Sequence, residues 1–283
     1  MKIHAIRTGS VRVKTAQMQA PRPGPMGAFG IFADPNWSDW LPTYAWAIEH
    51  DEGVIVVDTG QVAGLLHEAG HALHPYVRWE VLFQMEPEEE IGPQLKGLGI
   101  GPRDVSKVVL THMHMDHDAG LAYFPNSEIL AARGEINKAK GVMGAIRGYL
   151  PQRWPAWFNP TAIDLDGGAY GPFAASKRLT KAGDIIAVAT PGHTANHLSV
   201  LVEDGDVSLL LAGDSSYNEA LMVAGKVDGV SGNAAVSSAS LAAIRAFAAE
   251  RPLVYLPTHD PESGARFAAR QVVTIPPAPV GAA

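Results

Sequence analysis

The sequence predicts a mixed α/β fold (α+β), with two β-rich halves that are each covered by helices. Three observations lead there. Short apolar runs rich in β-branched residues recur at 54–57, 107–110, 185–189 and 253–256. Longer segments of helical character separate them, notably 88–98 and the alanine-rich 235–250. Residues able to bind metal follow four separate strands, as a site at one edge of a rigid sheet requires.

Taken in order, residues 2–14 alternate and predict opening strands. From 15 to 42 the pattern breaks, with Pro21, Pro23, Pro25 and Pro35 among Gly24, Gly27 and Gly30, which predicts a long loop. Phe29, Phe32, Trp37 and Trp40 lie in it, and so many aromatics argue against disorder. Residues 44–48, the turn Asp51-Glu52-Gly53 and residues 54–57 predict a hairpin ending in Asp58-Thr59-Gly60. Helices are expected over 61–72 and 88–98, the second stopped by Gly99. Residues 107–110 predict a buried strand and 127–131 a short one. A helix over 134–149 is weakened by Gly141, Gly144 and Gly148, by up to ~1 kcal/mol each relative to alanine. Residues 151–158 form a second aromatic-rich irregular segment carrying Trp154 and Trp157. A strand over 185–189 and a hairpin of 197–202 with 207–211 follow. The helix over 235–250 places Leu241, Ile244 and Phe247 on one face, and 253–256 is the last buried strand. The tail from Pro276 is expected to fray. The expectation is one domain, 1–283.

Composition narrows the function classes. Of the 283 residues 47% are hydrophobic, enough for a sizeable core, and a net charge of -7 without a basic run argues against a nucleic-acid surface. There is no cysteine, hence neither a disulfide nor a thiolate ligand. No signal-peptide core or membrane-length apolar run is seen, so a cytoplasmic protein without membrane partners is expected.

The densest chemistry lies in Thr111-His112-Met113-His114-Met115-Asp116-His117, directly after a strand. His112 and His114 are two apart and point the same way from an extended segment. Imidazole suits zinc, and carboxylate suits zinc or a harder ion. This H-x-H-x-D-H run resembles the signature of the metallo-β-lactamase superfamily. The rest of that pattern follows in order as Pro191-Gly192-His193-Thr194, Ala212-Gly213-Asp214 and Pro257-Thr258-His259-Asp260. The resemblance extends over about residues 43–270.

It implies an αββα sandwich and two divalent metal ions, zinc first, with iron, cobalt or manganese as alternatives. In its terms His112, His114 and His193 hold one metal, Asp116, His117 and His259 hold the other, and Asp214 bridges. The ions would lie ~3.5–4 Å apart and activate a bridging hydroxide as nucleophile. Asp58 and His197 match supporting positions of the family. Tyr217, three residues after Asp214, resembles the N-acyl homoserine lactone lactonases, where a tyrosine so placed reaches the substrate carbonyl. The implied function is lactone opening, with Asp116 passing a proton to the departing ring oxygen. Phe29, Trp37, Trp40, Trp154 and Trp157 are expected to line an apolar groove for an acyl chain, with core packing or a subunit interface as their other role. Asp118 departs from the family pattern and is expected to hydrogen-bond outward. His67, His71 and His74 are expected on a solvated helix face.

The expected partner is a small lactone or ester, and a homodimer is the assembly to test. Competing readings are a glyoxalase-II-like thioesterase, for which only Arg266 and Arg270 offer a basic patch, a phosphotriesterase-like enzyme, and a non-catalytic metal-binding or redox module.

Overall fold

Residues 1–21, 27–65 and 72–276 are described by a computed structural model. Strands β1 (Lys2–Val13), β2 (Leu41–Glu49), β3 (Val54–Val57), β4 (Val81–Gln84), β5 (Val105–Leu110), β6 (Glu128–Ala132) and β7 (Thr161–Ile163) form one sheet in the order β4-β1-β2-β3-β5-β6-β7. Strands β8 (Ser176–Arg178), β9 (Ile185–Ala189), β10 (Leu198–Asp204), β11 (Val207–Gly213) and β12 (Leu253–Pro257) form a second, in the order β12-β11-β10-β9-β8.

The period-two alternation of strands decides how these sheets stack. Ile185 and Ala187 of β9 pack with Trp46, Val57 and Val109 of the first sheet. Ile186 and Val188 face the other way, against Leu241, Ile244 and Phe247 of the helix Ala234–Glu250. The outer face of the first sheet, Val56, Val108 and Leu110, is covered by Ile91 and Leu95 of helix Ile91–Gly97 and by Ile136 and Ala139 of helix Arg133–Ala139. Helix, sheet, sheet and helix make the αββα sandwich that the resemblance implies.

The differences from expectation have local causes. Residues 15–42 are not one loop, because helices Thr15–Met18 and Gly27–Ala33 interrupt them. The Asp34 carboxylate ties the segment together by accepting from Thr15 Oγ1 (2.6 Å) and Ala16 N (2.7 Å). Pro23, Gly24 and Pro25 lie outside the described residues, as do 66–71 of the helix expected over 61–72 and residues 277–283 of the tail. The helix expected over 134–149 is two, Arg133–Ala139 and Gly141–Ile146. The chain breaks at Lys140, which is extended, and at Gly141, whose φ of 61° favours glycine. Strands β4, β7 and β8 and helix Pro75–Trp79 have three to five residues each. No periodicity is readable over so few positions. Among the described residues no helix is long and apolar enough to cross a membrane.

Candidate metal centre

The rims of the two sheets meet where four strands end. β5 leads into residues 111–117, while β9, β11 and β12 lead to His193, Asp214 and His259. Backbone bonds join the rims, Leu198 N donating to Thr111 O (3.0 Å) and Tyr44 N to Thr258 O (3.1 Å). Gly213 turns β11 inward with φ 55°, and a Cβ there would lie 2.6 Å from His197 Nε2. Glycine is therefore required just before Asp214. Asp116 and His117 sit on a short helix, Met115–Asp118, entered from His114.

Three overlapping sets of donor atoms result, His112/His114/His193, His112/His117/Asp214 and Asp116/His117/His259, each within 4.8 Å. His114 Nδ1 is 3.0 Å from both His112 Nε2 and His193 Nε2. His259 Nε2 is 3.4 Å from Asp116 Oδ2. Asp214 lies between the trios, with Oδ2 3.3 Å from both His193 Nε2 and His259 Nε2 and Oδ1 3.3 Å from His117 Nε2.

The outward ring atoms explain how these inward atoms are aimed. His259 Nδ1 donates to Pro42 O (3.0 Å), His193 Nδ1 to Asp228 Oδ2 (2.9 Å) and His117 Nδ1 to Asp58 Oδ2 (2.8 Å). His112 Nδ1 donates to Thr111 Oγ1 (3.1 Å), which donates to the same Asp58 oxygen (2.8 Å). Each such bond ties down Nδ1 and aims Nε2 inward as the atom left for a cation, which is how a metal-binding imidazole is prepared. Asp58 holds a left-handed φ of 58° to make these bonds. His197 accepts from Asp214 N at Nε2 (3.0 Å), so its Nδ1 carries the proton and donates to Thr190 O (3.1 Å). Asp58 and His197 thus support the donor set.

His117 Nε2 and Asp214 Oδ1 are buried and, among the described residues, have no hydrogen-bond partner. Two orphaned donor atoms facing each other, in a set of imidazoles and carboxylates, fit divalent cations such as zinc. Burial, with His117 and His114 beside it, holds His112 well below the usual histidine range, and burial next to His193 brings His114 down to about 3. Burial also works against charge on His117, His193 and His259. There Asp214 prevails, joined by Asp58, Asp228 and Asp116 respectively, and all three are raised, His259 to about 10. Those three positions hold a proton where a cation can take its place, so loading releases protons.

A cavity of about 620 Å³ opens over the cluster. His114, Asp116, His193, Asp214 and His259 face it, with an apolar wall that includes Val11, Val13, Phe32, Val77 and Phe83. Tyr217 also lines it, buried, its ring stacked on His259 at 5.5 Å between centroids. Its hydroxyl accepts from Gln17 Nε2 at 2.5 Å.

The aromatics expected to form the groove do not line this cavity. Phe29 is 70% exposed, and Trp40 and Trp157 are 40% exposed. Trp37 lies under the Lys14 ammonium, 4.2 Å from its ring centre. Trp154 packs on the first sheet's outer core and donates Nε1 to Asp118 Oδ2 (2.7 Å). From the first aromatic segment it is Phe32 that reaches the cavity. Asp118 does not point outward either, being buried against Trp154, and burial pushes its carboxyl up to about 7. His74 is half-buried at the cavity rather than on a solvated face, and His67 and His71 lie outside the described residues.

Four residues of the site carried no signal of their own. Asp228 stands in an irregular segment. Gln17 fell within the expected loop and Tyr76 close behind an expected helix. Glu135, fully buried, accepts from Met113 N (3.4 Å), Tyr149 Oη (2.8 Å) and Thr194 Oγ1 (3.0 Å) and so joins the segments bearing His114 and His193. It was legible only as a charged residue one position before Ile136 on a helix packed against the sheet.

The family model of the metallo-β-lactamase superfamily matches residues 38–259. An N-acyl homoserine lactonase from Bacillus sp is 29% identical over 180 residues, which are 63% of this chain and 66% of that protein. The "probable metallo-hydrolase Rv2300c" of Mycobacterium tuberculosis is 31% identical over 202 residues, 69% of this chain and 61% of that protein. The matched region therefore spans under two thirds of either relative. Among solved structures, an N-acyl homoserine lactone hydrolase with N-hexanoyl-L-homoserine at its catalytic metal center aligns with a TM-score of 0.75 and 22% identity, covering 93% of this chain and 95% of that one.

Proposed function

The chain belongs to the metallo-β-lactamase superfamily, and from that premise we propose that it is a di-metal hydrolase that opens a lactone ring, with N-acyl homoserine lactones as the substrate class. The observation that carries this reading is Tyr217, a buried phenol stacked on His259 and facing the cavity beside Asp214. Its hydroxyl oxygen accepts from Gln17, so its own proton remains to be donated.

In this reading His112, His114 and His193 hold one cation, Asp116, His117 and His259 hold the second, and Asp214 is shared. When bound, the two cations, zinc by the chemistry of the donors, supply an activated water and draw charge from the carbonyl oxygen. Tyr217 donates to that oxygen as it becomes an oxyanion, a bond that strengthens in the transition state. Asp116, which lines the cavity next to His259, takes the proton that the attacking water gives up and passes it to the departing ring oxygen. The wall of Val11, Val13, Val77 and Phe83 excludes water and receives the acyl chain, each fully buried methylene contributing up to ~0.8 kcal/mol. A panel of short- and long-chain acyl lactones, β-lactams, glutathione thioesters and phosphotriesters tests the assignment. Acyl lactones should show the highest kcat/KM and should improve with chain length. A thioester or phosphotriester turned over faster than every lactone would overturn it.

A further inference from the structure

Two buried polar atoms of residues lining this cavity are left without a hydrogen-bond partner among the described residues, Gln17 Oε1 and Tyr76 Oη. They come from different parts of the chain, helices Thr15–Met18 and Pro75–Trp79, and share a cavity wall with Val11, Val13 and Val77. A polar atom buried on an apolar wall carries a desolvation penalty until something supplies the missing bond. The two are chemically complementary, since a carboxamide oxygen only accepts and a phenol donates. Burial and the carboxylates of Asp228 and Asp116 keep Tyr76 protonated.

The pair is adjacent to the reacting groups. Gln17 Nε2 donates to Tyr217 Oη, so Gln17 Oε1 lies on the same carboxamide that holds the catalytic phenol. Tyr76 packs against the same apolar cluster that contains Tyr217, and both line the cavity. Tyr76 is itself fixed edge-on against Phe32 (6.1 Å) and His74 (6.2 Å).

Resting on the lactone reading above, we propose that Gln17 Oε1 and Tyr76 Oη together bind the secondary amide of the substrate's acylamino arm. Gln17 Oε1 accepts from the amide N–H, Tyr76 Oη donates to the amide carbonyl, and Gln17 Nε2 keeps Tyr217 in place. A secondary amide offers one donor and one acceptor, so both orphan atoms are satisfied at once. An ester-linked arm has no N–H and leaves Gln17 Oε1 unpaired. Gln17 and Tyr76 therefore select amide-linked over ester-linked arms.

The experiment compares two γ-butyrolactones of equal chain length, one bearing a hexanoylamino and the other a hexanoyloxy group, on the metal-loaded full chain. Wild type should favour the amide by about tenfold in kcat/KM. Gln17→Met should remove that preference, and Tyr76→Phe should raise KM for both while keeping the ring that packs on Phe32. In a Tyr217→Phe background, Gln17→Met should still remove the preference but lower kcat no further, which separates amide binding from the grip on Tyr217. Calorimetry with the two ring-opened acids gives a readout independent of turnover, and wild type should bind the amide-linked acid more tightly. Equal opening of both lactones by wild type, or a preference that survives in Gln17→Met, would overturn the proposal and leave the lactone reading intact. If neither lactone opens, the lactone reading falls, and equal binding of the two acids then overturns the amide pair as well.

Discussion

The two donor trios share one floor but are built from different material. His112, His114 and His193 present nitrogen alone, and burial among other imidazoles keeps the first two far from protonation. Asp116, His117 and His259 include a carboxylate, and there negative charge holds protons on both imidazoles. The supports differ as well. His193 leans on Asp228, 35 residues away, whereas Asp58 serves His117 directly and His112 through Thr111. The nitrogen-only trio therefore suits a borderline-soft cation, and the trio with a carboxylate accepts a harder one.

Asp214→Ala should have the largest effect, because both trios converge on that carboxylate. Without it two cations repel each other with no shared anion. Metal content, turnover and thermal stability should fall together, since metal binding contributes to folding free energy. A variant that keeps two ions and full turnover would show that Asp214 is not shared.

Asp228→Ala sharpens the comparison. Loss of such a supporting carboxylate typically weakens metal affinity by about 10–100-fold, and here it should weaken the His193 trio alone. Asp58→Ala should weaken both. Competition with a chromophoric chelator reads the two affinities, and equal losses in the two variants would mean the trios are not separately supported.

Tyr217→Phe should have the smallest effect. An oxyanion donor acting alone is worth about 10²–10³ in kcat. Here the cations share the charge, so the loss should be roughly tenfold, in kcat and with metal content unchanged. Unaltered kcat on good and poor substrates would reduce Tyr217 to a wall residue.

These contrasts also show what the sequence made legible. Residues 111–117 could be read directly, because a strand end concentrates four donor residues in six positions. His193, Asp214 and His259 each stand alone after a strand, and only the resemblance joined them to the cluster. Long strands and the helix Ala234–Glu250 were legible from periodicity. The cavity wall was not, because hydrophobicity marks an aromatic as needing cover without saying what covers it. Trp154 found Asp118, Trp37 found Lys14, and the wall fell to Val11, Val13, Val77 and Phe83. Asp228 and Gln17 were illegible for a related reason. Their partners are distant in sequence, and a lone Asp or Gln in an irregular segment has no period to betray its burial.

The most direct measurement of a shared two-cation centre is a stepwise return of metal to chelator-stripped protein, with opening of an N-acyl homoserine lactone followed at each step. Zinc is added by fractions of an equivalent, and bound metal is counted by elemental analysis. Activity should remain low through the first equivalent, rise through the second and level off at two ions per chain. Full activity at one ion, or none with two ions bound, would contradict the account.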